Sequence, residues 1–326
     1  MNKYIKILVG TVVSALGLYL AFYGEDFDGL WLQIQQVNWG PFWTACVLLL
    51  VSCIIRAYRW QLLLDPVEKI PLHPLFASTM IGYFGNGVLA FRLGELLRAY
   101  SISIDRTISV SQAFGTIILE RIMDLLMVVL VFILVIPWFP FEHQWLRFGV
   151  YLFLAITFGL IFFIFLAVQY KWINKVKDKE SFQSGLRLKI VHGIQRIFDG
   201  VTIIRKTKHT FAITVTSFII WSIYFSITYI LLDACNIDLG FIGTGILLVI
   251  GSAVIGIPAL PGSAGTYDAG VKYGLMVVFS IASEKALTYA IVSHAVSYFP
   301  VVLVGAVYFI LGSVRIKDVH PEEIMS

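Results

Sequence analysis

Charge is the scarcest thing in this sequence. Of 326 residues only 13% are Asp, Glu, Lys or Arg, while 59% are hydrophobic and 15% aromatic; average globular domains are about 25% charged. The mean hydropathy of +0.86 excludes an ordinary soluble globule and a disordered chain. Cysteine is almost absent. Cys46, Cys53 and Cys235 show neither a disulfide framework nor a metal spacing, and are read as packing residues. Catalytic signatures are missing too. There is no His-Glu-x-x-His, no Gly-x-Ser-x-Gly and no phosphate-cradling loop ending in Gly-Lys-Ser/Thr. No enzyme activity, cofactor, metal or nucleic-acid partner is therefore expected.

What the chain has is apolar length. A helix needs about 20 apolar residues to cross a bilayer core. Six regions are predicted to be spans, at 4–23, 40–60, 110–136, 147–170, 210–232 and 285–312, the first being an uncleaved span rather than a signal peptide. Two others are long enough but interrupted. Residues 72–99 contain Gly82, Gly85, Asn86, Gly87 and Gly94, and residues 240–279 contain Gly256, Pro258, Pro261, Gly262 and Gly265. Irregular backbone at membrane depth survives only when buried in protein or facing a wet cavity, so both are read as re-entrant helical hairpins.

Loop charge sets the expected orientation. Loop 171–208 carries ten Lys or Arg, whereas loops 24–39 and 233–238 carry Asp and Glu and no base. Cytoplasmic loops collect basic residues, so both termini are expected in the cytoplasm. The chain then reads as one all-α polytopic membrane domain: span-span-hairpin-span over 1–140, repeated with opposite orientation over 141–316. Transporters of this design bind substrate where broken helices meet near the midplane. Within loop 171–208, Ile190, Ile194, Ile197, Phe198, Val201 and Ile204 recur at helical spacing, predicting an amphipathic helix on the inner leaflet or against the spans.

The few charges are oddly placed. Arg92, Glu95, Arg98, Glu120, Arg121, Asp124, Asp268 and Lys272 all fall in or beside the broken regions and the third span. At about 2.5–3.5 kcal/mol each, they would together cost on the order of 20–28 kcal/mol if unpaired, more than the about 5–15 kcal/mol of a typical folding stability. They must pair with one another, with water or with a ligand. Glu120 and Asp124 share a helix face, and Asp268 precedes Lys272 by four, the favourable order for a helical ion pair. Two readings remain open, a hydrated chamber that takes an anionic head group or a closed ion-pair lock between the repeats. Arg56 and Arg59 are expected to snorkel to the inner interface, and His294 to be a helix–helix hydrogen bonder.

The stretches Phe84-Gly85-Asn86, Arg92-Leu93-Gly94-Glu95-Leu96-Leu97-Arg98-Ala99, Glu120-Arg121-Ile122-Met123-Asp124 and Leu260-Pro261-Gly262-Ser263-Ala264-Gly265 resemble the lysylphosphatidylglycerol synthase transmembrane region, also called the flippase-like domain family. The resemblance runs along nearly the whole chain. Ala90-Phe91 stands where that family often has Pro-Gly, and Asp268 where it often has Glu. It implies a bacterial or archaeal inner-membrane protein that moves phospholipids or another anionic lipid between leaflets. Arg92, Glu95 and Arg98 would be central, with Glu120, Arg121 and Asp124 facing them. The aminoacyl-transferase domain of the full synthases is not expected, nor is synthesis of lysylphosphatidylglycerol. The alternative function is an enzyme or accessory subunit acting on a lipid-linked intermediate.

Overall fold

The computed structural model describes residues 3–89, 93–139, 207–256 and 261–312, with a few helical positions between 148 and 159. The span expected at 147–170, the amphipathic helix expected in 171–208, Arg92 and Pro258 lie wholly or mainly outside the described residues. Among the described residues all regular structure is helical. The helices are α1 (Lys3–Phe22), α2 (Phe27–Gln35), α3 (Trp39–Leu64), α4 (Leu72–Val88), α5 (Gly94–Ser103), α6 (Val110–Val135), α7 (Thr210–Ala234), α8 (Gly240–Ile255), α9 (Thr266–Phe279) and α10 (Ser283–Leu311). Of these, α3, α7 and α10 are long and apolar enough to cross a membrane.

Local chemistry explains where the helices start. Asp26 accepts the Asp28 N–H at 3.0 Å to open α2, and Asn38 accepts the Gly40 N–H at 3.1 Å to open α3. Ser109 and Gln112 form a reciprocal capping box at the head of α6. The short helix α2 lies in what the sequence reads as a plain loop. Its Leu30 is buried while Phe27, Trp31 and Leu32 stay exposed.

Both interrupted regions are pairs of helices with a break between them. At 1.5 Å per residue, the 17 residues of α4 reach about 25 Å, and the 16 residues of α8 about 24 Å. Each is shorter than the about 30 Å hydrocarbon core. The first break closes on Gly94, where a Cβ would lie 2.6 Å from Asn86 Oδ1 and strike the backbone of Gly82 and Asn86. Gly94→Ala is accordingly expected to lower stability by about 1–3 kcal/mol through overpacking; thermal unfolding in detergent reads this directly. The second break uses left-handed backbone. Gly262 has φ +69°, Ser263 +59° and Gly265 +78°. The Gly265 N–H then donates to Asp268 Oδ2 at 3.0 Å, which caps α9.

Packing is broadest between α3 and α7. Around them α4 packs on α5 and α10, α8 packs on α9 and α6, α5 meets α6, and α9 meets α10 and α1. One apolar core joins α3, α7, α8, α9 and α10, with Leu231, Leu247, Val271, Leu275 and Val296 at its centre. A second joins α3 to α6, around Trp60, Leu63, Leu75, Ile102 and Ile117. All three cysteines are buried and free, in keeping with a packing role. Phe211, Leu303, Val307 and Ile310 on the outer faces are more than half exposed, as lipid-facing positions require.

Candidate functional site

Three helices bring the intramembrane charges together. Asp124 of α6 accepts from Arg56 Nη1 at 2.8 Å and from Arg59 Nη2 at 2.9 Å, both from α3. Glu120, one turn earlier on α6, lies 2.7 Å from Arg98 of α5 and 3.6 Å from Arg59. Arg121 reaches Glu95 of α5 at 3.3 Å and Asp124 at 3.5 Å. Glu95 and Arg98 of α5 thus lie against Arg121 and Glu120 of α6. Four guanidiniums meet three carboxylates, so these seven groups carry one net positive charge.

The network has a sealed side and an open side. Arg59 and Glu120 are fully buried, and the Arg98 guanidinium stacks 3.8 Å above the Trp60 ring. Trp60 Nε1 donates to Thr116 at 2.8 Å, and Arg59 donates to Ser217 of α7 at 2.9 Å. These contacts lock α3, α5, α6 and α7. The Arg98–Glu120 pair is close but poorly directed, leaving both Glu120 oxygens and Arg98 Nε and Nη2 without an aligned hydrogen bond. On the other side Arg56, Glu95, Arg121 and Asp124 border a cavity of about 550 Å³. Arg56 also donates to the Tyr224 hydroxyl at 3.1 Å; Arg56 Nε is buried without an acceptor, and Arg121 Nε has only its poorly aligned contact with Glu95 at 3.3 Å. Beyond this polar end the cavity runs between Leu125, Val128, Leu247 and Leu248 to Tyr267, Tyr289 and Ser293, so its walls come from both halves of the chain.

The remaining predicted charges stand apart. Lys272 of α9 pairs with Glu25 at 2.5 Å and donates to the Ala21 carbonyl at 2.7 Å; Glu25 also accepts from Ser283. This buried knot fixes the end of α1 to α9 and α10. Asp268 does not pair with Lys272 one turn away but caps Gly265 and meets His294 Nδ1 at 2.9 Å. The hydrogen-bonding role expected of His294 is observed.

Arg56 and Arg59 require a correction. They do not snorkel: they are 3% and 0% exposed and supply the two shortest contacts to Asp124. An arginine in the last third of a span looks the same in sequence whether it reaches outward or inward, and only the approach of α6 to α3 decides. Tyr224 and Ser217 also escaped sequence reasoning, because single hydroxyls in apolar runs carry no spacing signal. Of the break residues, Asn86, Gly94, Pro261, Gly262 and Gly265 lie at the two helix breaks. Among the described residues no group of His, Cys, Asp or Glu is placed to hold a metal ion.

Helices long enough to span a bilayer, surrounding a buried ion-pair network and an amphipathic cavity, define a multi-pass membrane protein. The model of the Lysylphosphatidylglycerol synthase TM region family matches residues 7–305, so the chain belongs to that family. A UPF0104 membrane protein of Methanocaldococcus jannaschii is 24% identical over 230 residues, covering 69% of this chain and 93% of that protein.

Proposed function

We propose that the protein translocates an anionic lipid head group across the cytoplasmic membrane, through the cavity bordered by Arg56 and Arg121. One observation carries this reading. The Arg56 and Arg121 guanidiniums both border a 550 Å³ space whose far walls are mostly apolar, and Arg56 Nε is buried without an acceptor. Arg binds phosphate in a bidentate fork, and the net positive network favours an anion. Glu95 and Asp124 hold Arg56 and Arg121 while the site is empty, and an entering phosphate competes for the same donors. Arg98 is sealed against Glu120 and Trp60, on the closed side of the network. All seven groups of the network come from residues 56–124, so its ion pairs lie within the first half of the chain rather than between the repeats. The volume suits a head group, within the about 300–1,000 Å³ of ligand pockets, while the acyl chains stay in the bilayer.

The reading includes six spans and two re-entrant hairpins in an inverted repeat, with both termini cytoplasmic. The short half-helices support it, as does the packing. Exchanging α3 with α7, α4 with α8, α5 with α9 and α6 with α10 turns the α4–α10 contact into α8–α6, and α5–α6 into α9–α10. The α3–α7 contact lies on the axis that relates the halves. Leaflet exchange in liposomes is the test. Reconstituted protein should render inner-leaflet fluorescent phosphatidylglycerol accessible to dithionite faster than protein-free vesicles do. Equal rates would reject translocation.

A further inference from the structure

The second helix break is held by one ring. His294, in the middle of α10, meets Asp268 Oδ1 with Nδ1 at 2.9 Å and the Gly262 carbonyl with Nε2 at 2.9 Å. Both partners are acceptors. A neutral imidazole has one N–H and one lone pair, so it satisfies only one of them; the imidazolium satisfies both. On losing its proton the ring keeps the N–H that faces the carboxylate, the stronger acceptor. Nε2 then presents a lone pair to the Gly262 oxygen, and that contact turns repulsive. Gly262 adjoins Ser263, a non-glycine residue held at φ +59°, a conformation that persists only under outside constraint.

Access and linkage are both present. A second pocket of about 280 Å³, bordered by Pro261, Asp268, His294 and Tyr298, leaves the His294 side chain 18% exposed. The titratable neighbours are Asp268 and Tyr267 of α9 and Tyr298 of α10 itself, with the Tyr267 ring 5.1 Å away. Lys272, one turn further along α9, is engaged by Glu25. Among the described residues α2, α3, α4 and α7 contribute no charged side chain to this pocket. Tyr298 donates to the Gly87 carbonyl at 3.1 Å, at the end of α4, and its ring covers Gly262. Tyr267 and Ser293, hydrogen-bonded at 3.2 Å, line the main cavity. One stretch of α10 therefore touches both helix breaks and the cavity wall. Pro300, six residues on, cannot donate to the Val296 carbonyl, which gives α10 a point to bend.

We propose that His294 and Asp268 form a proton-binding site whose occupancy locks the 261–265 break and whose release frees it, coupling lipid passage to protonation. The coupling rests on the translocation reading; the proton site does not. The test uses the full-length protein in nanodiscs, with hydrogen exchange at Ser263–Gly265 corrected for intrinsic rate and with ¹⁵N-histidine spectra. An unperturbed histidine titrates near pH 6.5, so the range from about pH 5 to about pH 9 spans the change. Protection should fall at least tenfold from acid to alkaline pH, in step with loss of one ring proton from His294, and His294→Gln should be flat. Constant protection in the wild type, or the same step in His294→Gln, would overturn the proposal; if that variant does not fold, a ring with one unchanged protonation state across the range overturns it alone. Liposome exchange with pH clamped at either extreme separates the two readings. Lipid exchange without any pH step in either measurement removes the proton site and leaves translocation. A pH step without lipid exchange leaves the proton site and removes translocation.

Discussion

Asp124→Asn is expected to cost the protein a large share of its folding stability. The carboxylate receives Arg56 and Arg59 at 2.8 and 2.9 Å and lies 3.5 Å from Arg121. Its neutralisation leaves four buried or half-buried guanidiniums facing only Glu95 and Glu120. Breaking a buried ionic network by removing one partner costs about 3–5 kcal/mol, a large share of a stability of about 5–15 kcal/mol. The thermal midpoint in detergent should fall by roughly 10 °C, with loss of the monodisperse peak on size exclusion. Asp233→Asn, at an exposed carboxylate near the end of α7, should leave the midpoint unchanged. Equal midpoints for the two variants would mean that the network does not hold α3 to α6.

Arg121→Gln is expected to do the reverse, sparing the fold and stopping transport. Its side chain is 37% exposed to the cavity, and its ion pairs, at 3.3 and 3.5 Å, are longer than those of Arg56. Its structural contribution is therefore smaller, while its position at the polar end of the cavity is kept for ligand. A hydrogen bond to a charged group contributes about 1.5–3 kcal/mol, so losing the phosphate contact should slow leaflet exchange about ten- to a hundredfold. Arg121→Lys keeps the charge but loses the fork and should fall between the two. Wild-type exchange by Arg121→Gln, with folding confirmed by an unchanged midpoint, would remove the residue from the transport site.

Much of this arrangement was legible because bilayers impose strong rules. Helices stand where spans were predicted at 40–60, 110–136, 210–232 and 285–312, as α3, α6, α7 and α10; α3, α7 and α10 have the apolar length that crossing a membrane requires. The breaks were legible from the density of Gly and Pro in 256–265 and of Gly in 82–94. That Glu95 and Arg98 would face Glu120, Arg121 and Asp124 came from the family resemblance; the cost of charge in a bilayer required only that each find a partner. What the sequence hid was partner choice. Asp268 and Lys272 have the right spacing to pair, yet Lys272 turns to Glu25 and Asp268 to His294, because Glu25 comes from the turn between α1 and α2 and His294 from another helix, which only packing brings near. Arg56 and Arg59 carried no inward signal for the same reason. The helix α2 was hidden by its nine-residue length, although Asp26 is a good cap and Leu30 and Ile34 share a face.

The claim on which the rest depends is that Arg56 and Arg121 hold a lipid phosphate between the two halves of the chain. The most direct measurement is an experimental density map of the protein in nanodiscs containing phosphatidylglycerol. The account predicts a phosphate within about 3 Å of both guanidiniums, with its acyl chains leading out of the cavity toward the bilayer. A cavity of unchanged shape that holds no head group, with phospholipid ordered only on the outer faces of α3, α7 and α10, would contradict it.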